Sequence, residues 1–167
     1  MRWERLFDEL EAQYGDLELQ QRDALVDELR DGEWAETSWR SLLGGMVAVD
    51  VLGVGRIAGE CVLINEHVLQ LRSERTEHIV SSNAVVSVIS SERRADPSSV
   101  VSAALGWGHI FRALRDEGEP VRLHAIDGST FDGAIEVVGA DFVRMREESG
   151  RCQTVTLSAV AVVSGRT

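Results

Sequence analysis

Lysine is missing altogether from this chain of 167 residues, in which all 17 basic residues are arginine, while cysteine and proline occur twice each and tyrosine once. An arginine-only set reflects the coding bias of a GC-rich genome rather than a demand for bidentate guanidinium contacts. Cys61 and Cys152 lie far apart and match no metal-ligand spacing, which excludes a disulfide framework and a zinc site and points to a reducing compartment. No run of 18 apolar residues occurs, so no membrane span or membrane partner is expected, and the charged start "MRWERLFDEL" is no secretory signal. A cytoplasmic location is the expectation. The four histidines His67, His78, His109 and His124 are dispersed, with no HxxxH pair and no Cys-His arrangement. The carboxylates show no pair that burial is expected to perturb. The chain is therefore read as no enzyme, with no cofactor and no metal. Against these absences stands an apolar content of 44%, enough to build a core.

Charge is unevenly spread. Residues 1–36 hold twelve acids against four arginines, a net of −8 out of the chain's −11. Such a surface repels phosphate and disfavours nonspecific nucleic-acid binding, although a local arginine cluster could still engage it. The acidic front reads as a solvated helical face, with an acidic docking surface for a basic partner as the alternative.

The segments "GECVLINEHVLQLR" (59–72) and "GAIEVVGADFVRMR" (133–146) say nearly the same thing twice. A shift of 74 pairs Val47 with Val121, Val49 with Leu123, Gly59 with Gly133, Val68 with Phe142 and Arg72 with Arg146, without a gap. One further residue of shift pairs Ala84 with Ala159 and Val86 with Ala161, the slack falling in the polar stretches between. The account that fits is duplication. Each copy predicts five short strands, marked in the second copy by alternation in "VRLHAI" and "TFDGAIEVV", by "DFVRMR", and by "TVTLSAVAVV" with a tight turn at "LSA". Gly59 and Gly133 fall inside strands, where a glycine marks a sharp bend or a close backbone approach. Five bent strands with turns this short suggest a small closed barrel. The stretch "GVGRIAG" (53–59) falls by the same alignment in a β turn rather than in a nucleotide-binding loop.

The run "DGSTFDGAIEVVGADFV" (127–143) is similar to the first signature of the Sm/LSm family: a turn at an Asp-Gly, a glycine in a bent second strand, then hydrophobics leading to a third. The resemblance covers residues 121–163 well and 47–88 more loosely, and SH3-like barrels produce a similar pattern. The layout as a whole is also similar to a group of actinobacterial proteins, a similarity that brings no function with it. What the resemblance implies is a mostly β, α+β chain in which N-terminal helices precede two Sm-like five-stranded barrels joined by a helix. The expected parts are an acidic helical region (1–44), a first barrel (45–90), a connecting helix (95–118) and a second barrel (120–164). It also implies association through strand edges, as in Sm-family rings. The RNA-contacting set of that family is absent: its Asp position falls on Asn65 and Gly139, its Asn on Leu69 and Val143, and its Arg-Gly pair on Asn83-Ala84 and Ser158-Ala159. Phe131 and Phe142 read as core, which leaves no aromatic platform for bases.

In the linking region Asp96 suits a helix cap, Pro97 its first turn and Gly118 its end. Val100, Val101, Ala104, Leu105, Trp107, Ile110, Phe111 and Leu114 make a broad apolar face, read as glue between the copies. Trp3, Leu6, Phe7 and Leu10 form a stripe at the front, with breaks expected at Gly15-Asp16 and at Gly32. The reading that follows is a non-enzymatic assembly or adaptor module whose partner is itself or another protein, with Trp3, Phe7, Trp34, Trp39 and Trp107 as candidate interface residues. The alternative is a nucleic-acid-associated regulator using Arg72, Arg75, Arg144, Arg146 and Arg151, together with Arg93 and Arg94. Scattered surface arginines balanced by Glu74, Glu77, Glu147 and Glu148 are the simpler account of those charges.

Overall fold

The structure is a computed structural model that describes residues 2–90 and 104–166, with side chains described from residue 19 onward and not for residue 166. Residues 1–38 and 39–167 form two separate compact units. The first is a single helix, α1 (Arg2–Glu36), built from leucine, glutamate, arginine and alanine without a proline. The expected breaks at Gly15-Asp16 and Gly32 do not occur. A glycine costs a helix roughly 1 kcal/mol relative to alanine, too little to interrupt a segment of strong helix formers. Thr37 ends it, its Oγ1 donating to the Glu33 carbonyl at 2.7 Å.

In the second unit a 3-10 turn (Trp39–Leu42) leads into ten strands: β1 (Met46–Val51), β2 (Gly55–Ile64), β3 (Val68–Arg72), β4 (Thr76–Ser81), β5 (Val85–Ser90), β6 (Val121–Ala125), β7 (Thr130–Val138), β8 (Phe142–Arg146), β9 (Cys152–Thr156) and β10 (Val160–Arg166). All pairings are antiparallel, and the strands form one sheet in the order β5-β1-β2-β3-β4-β10-β6-β7-β8-β9. This overturns the expectation of N-terminal helices followed by two closed five-stranded barrels joined by a helix. Closure of the first half would need β5 against the outer edge of β4, and that edge is taken by β10 through five paired residues, Val162 to Arg166 against Val80 to Thr76. The sheet is open, with β5 and β9 at its two ends.

The duplication is visible in the register. Val47 lies opposite Gly59 and Val121 opposite Gly133; Cys61 opposite Leu71 and Ile135 opposite Met145; Val51 opposite Val85 and Ala125 opposite Val160. Even the irregularities recur, between Cys61 and Leu63 and between Ile135 and Val137. At both repeat-related glycines the neighbouring strand comes too close for a side chain: a Cβ on Gly59 would meet the Arg72 carbonyl oxygen at 2.8 Å, and one on Gly133 would meet that of Arg146 closer still. A bend of this kind needs glycine.

Two apolar clusters fill the unit. One gathers Leu43, Val49, Leu69, Leu71 and Val80, with Trp39 packed against it; the other gathers Phe111, Leu123, Ile135, Val143 and Met145. β10 serves both, placing Ala161 and Val162 in the first and Val160 and Val163 in the second. The strand, more than the linking helix, joins the halves. That helix, α2 (Trp107–Glu117), starts later than the sequence suggests, with Gly106 as its extended N-cap, so Ala104 and Leu105 lie outside it. It ends on Gly118, whose φ of 71° lets its N–H reach the Leu114 and Arg115 carbonyls. Phe111 is fully buried in the second cluster, and Trp107 stacks on it with ring centroids 5.2 Å apart. The expected cap at Asp96, Pro97 and the apolar residues Val100 and Val101 lie outside the described residues.

Candidate interface: the seam and the open edges

Where β4 meets β10 the two halves share a ladder, and residues directly opposite one another share a face. One face carries a polar row, His78, Ser164, Arg122 and Asp132, taken strand by strand from β4 to β7, with Leu71 of β3 beyond it. The His78 Nδ1 and Ser164 Oγ lie 2.8 Å apart, and Arg122 grips Asp132 with two bonds, of 2.7 and 3.0 Å. His124 joins this face from β6, opposite Val162. Partial burial holds both imidazoles below their ordinary value of 6.5; the charge of His124 adds to the effect at His78, and that of Arg122 at His124. His124 is half-buried. The opposite face of the seam is apolar, running Ile79, Val163, Leu123, Phe131.

The outer strands are the repeat counterparts of the seam strands. β5 corresponds to β10, as Val51 to Val85 corresponds to Ala125 to Val160; β9 corresponds to β4, as Val68 to Ser81 corresponds to Phe142 to Thr156. Among the described residues each outer strand has a neighbour on one side only. β5 holds no charge or proline and leaves Val86 69% and Ile89 54% exposed. β9, "CQTVT", is uncharged as well, with Cys152 exposed. Natural sheets protect their edges with charge, proline or a cover, and these strands carry neither of the first two. Behind β5, Asp50 binds Arg56 at 2.8 and 2.9 Å and accepts from the Ser87 Oγ at 2.6 Å. Those partners lower its pKa from 3.8 to about 2.

Of the arginines singled out, three are engaged by carboxylates: Arg72 by Glu77 at 3.4 Å, Arg151 by Glu147 at 2.8 Å, and Arg146 by Glu136. Arg75 and Arg144 are exposed. Arg93 and Arg94 lie outside the described residues, as do the side chains of Trp3 and Phe7. Among the other candidate interface residues only Trp34 is mostly exposed, at 53%. Trp39 is half-buried on the first cluster under the Arg40 guanidinium, 4.9 Å from its ring, and Trp107 is half-buried on the second. Asn65 is 6% exposed and folds its turn: Oδ1 accepts from the His67 and Val68 N–H groups, and Nδ2 donates to the Leu105 carbonyl. "GVGRIAG" lies in the β1–β2 hairpin. Among the described residues no cluster of three metal-ligating side chains occurs, and no helix is long and apolar enough to cross a membrane.

The His78–Ser164 pair escaped the sequence reading because its members are far apart in the chain and only the crossing of β10 to β4 brings them together. Comparison with family models and with curated protein sequences returns no match to either.

Proposed function

We propose that the chain is a non-enzymatic assembly module that joins copies of itself head to tail, β9 of one copy adding to β5 of the next. The observation that carries this reading is the seam. A fourth strand already pairs with a fifth strand across the repeat within one chain, and the same two kinds of edge stand open at the ends of the sheet. A contact between unlike patches repeats until it closes a ring or runs on as a filament. The resemblance to the Sm/LSm turn pattern supports the same reading, and Cys61 and Cys152, which form no disulfide, support a reducing, cytoplasmic setting. The nucleic-acid alternative is weakened by the carboxylates that already occupy Arg72, Arg146 and Arg151.

Carrying the seam register across the repeat sets Cys152 of one copy opposite Ser90 of the next, as Glu77 lies opposite Gly165 within the chain. Ser90→Cys is therefore expected to form a disulfide with Cys152 between chains under mild oxidation, giving a ladder on non-reducing gels that Cys152→Ser abolishes. A wild-type chain that stays monomeric by light scattering across a concentration series, with no ladder from Ser90→Cys, would sink the proposal.

A further inference from the structure

At the seam lies a groove of about 880 Å³ that the assembly reading does not use. Its lining comes from both halves and is mixed: Ile79 on β4, Leu114 of α2 and Pro120 before β6 give it apolar surface, beside polar Thr76, Glu77 and Ser164. Between them Gly165 leaves the floor open, since a Cβ built there would have no heavy atom within 4 Å. A groove of this volume is in the range of ligand-binding sites. The groove crosses β4, β10, β6 and β7, roughly 14 Å at the usual strand spacing, which is the length of about four extended residues.

The rim selects charge. Glu117, at the C-terminal end of α2, and Glu119 line the groove, and among the described residues neither carboxylate has a hydrogen-bond or ion-pair partner. The helix end adds its own partial negative charge. The cation in the lining, Arg122, is already held by both oxygens of Asp132. An anionic occupant would meet uncompensated repulsion, whereas a cationic one would find two acceptors beside the apolar surface of Ile79, Leu114 and Pro120.

We propose that this groove binds a short basic peptide segment of a partner protein, with apolar side chains over Ile79, Leu114 and Pro120 and an arginine or lysine held by Glu117 and Glu119. Because the lining is shared by the two halves, such a peptide clamps the seam and stabilises the folded chain in proportion to its occupancy.

The test is calorimetric titration of the full chain with three probes: a capped tetrapeptide alternating leucine and arginine, the same peptide with glutamate for arginine, and spermidine. The basic peptide is expected to bind and to weaken as salt is added. Gly165→Phe, which fills the open floor, is expected to weaken it about tenfold or more, a loss of about 1.4 kcal/mol. Glu117→Gln combined with Glu119→Gln, two exposed changes, is expected to weaken it severalfold, and serves as the check should Gly165→Phe fail to fold. Failure of the basic peptide to bind would overturn the proposal. So would equal binding of the acidic peptide, spermidine binding as tightly as the peptide, or binding unchanged in the double glutamine variant. None of these outcomes depends on whether the chain assembles.

Discussion

Gly53 turns the β1–β2 hairpin with φ of +75°, and a Cβ there would run into the backbone carbonyl of Ile126, in the equivalent hairpin of the other half. Two separate penalties therefore face any substitution: the left-handed conformation and the collision. Gly128, in the partner turn, has φ of +88° but only ordinary contact, the Gly53 oxygen lying 3.5 Å from its would-be Cβ. Gly128→Ala is expected to cost about 1 kcal/mol from backbone strain alone, and Gly53→Ala about 2–4 kcal/mol, both read from urea denaturation. Equal costs would mean that the hairpins do not meet. At this scale the sequence was partly legible. The bend glycines Gly59 and Gly133 could be read from their place inside alternating strands, because the requirement is local. The need at Gly53 could not, since the colliding carbonyl sits more than seventy residues away. Asn65, to which the sequence assigned no role, closes its own turn through its amide oxygen.

Strands were legible wherever alternation and turn residues act on the nearest few residues, and all ten lie where the duplicated pattern sets them. Partner choice was not legible, because which strand takes the outer edge of β4 is decided between segments some eighty residues apart. The same crossing creates the molecule's titrating element. His78 and His124 flank β10 on one face, with Arg122, Asp132 and Ser164 facing them, and both are held below their ordinary value. In the unfolded chain each titrates near 6.5, so below that pH the unfolded state binds more protons than the folded one and stability falls. Stability from these groups is full above pH 6.5 and lost as pH drops from there through the lower folded values. The urea midpoint is expected to fall between about pH 7.5 and about pH 5, and His78→Gln to flatten that slope. A slope left unchanged by both His78→Gln and His124→Gln would place the acid sensitivity elsewhere.

On the proposed assembly reading, the whole molecule contains the same edge contact twice in kind, once within the chain and once between chains, with different chemistry in each. Carried across the repeat, the counterparts of His78, Ser164 and His124 are Gln153, Ile89 and Asp50. None of these titrates near neutrality. Asp50, the one ionisable member, keeps its charge, and with it the ties to Arg56 and Ser87, until pH falls toward about 2. Mild acid should therefore loosen the seam inside each copy and leave the joint between copies intact. Hydrogen exchange in β4 and β10 is expected to accelerate between about pH 7.5 and about pH 5.5, after correction for the intrinsic rate, while the mass from light scattering holds steady. If the assembly came apart over that interval while β4 and β10 stayed protected, the joint between chains would have to use histidine-bearing surface. The pairing of β9 with β5 would then be the wrong joint.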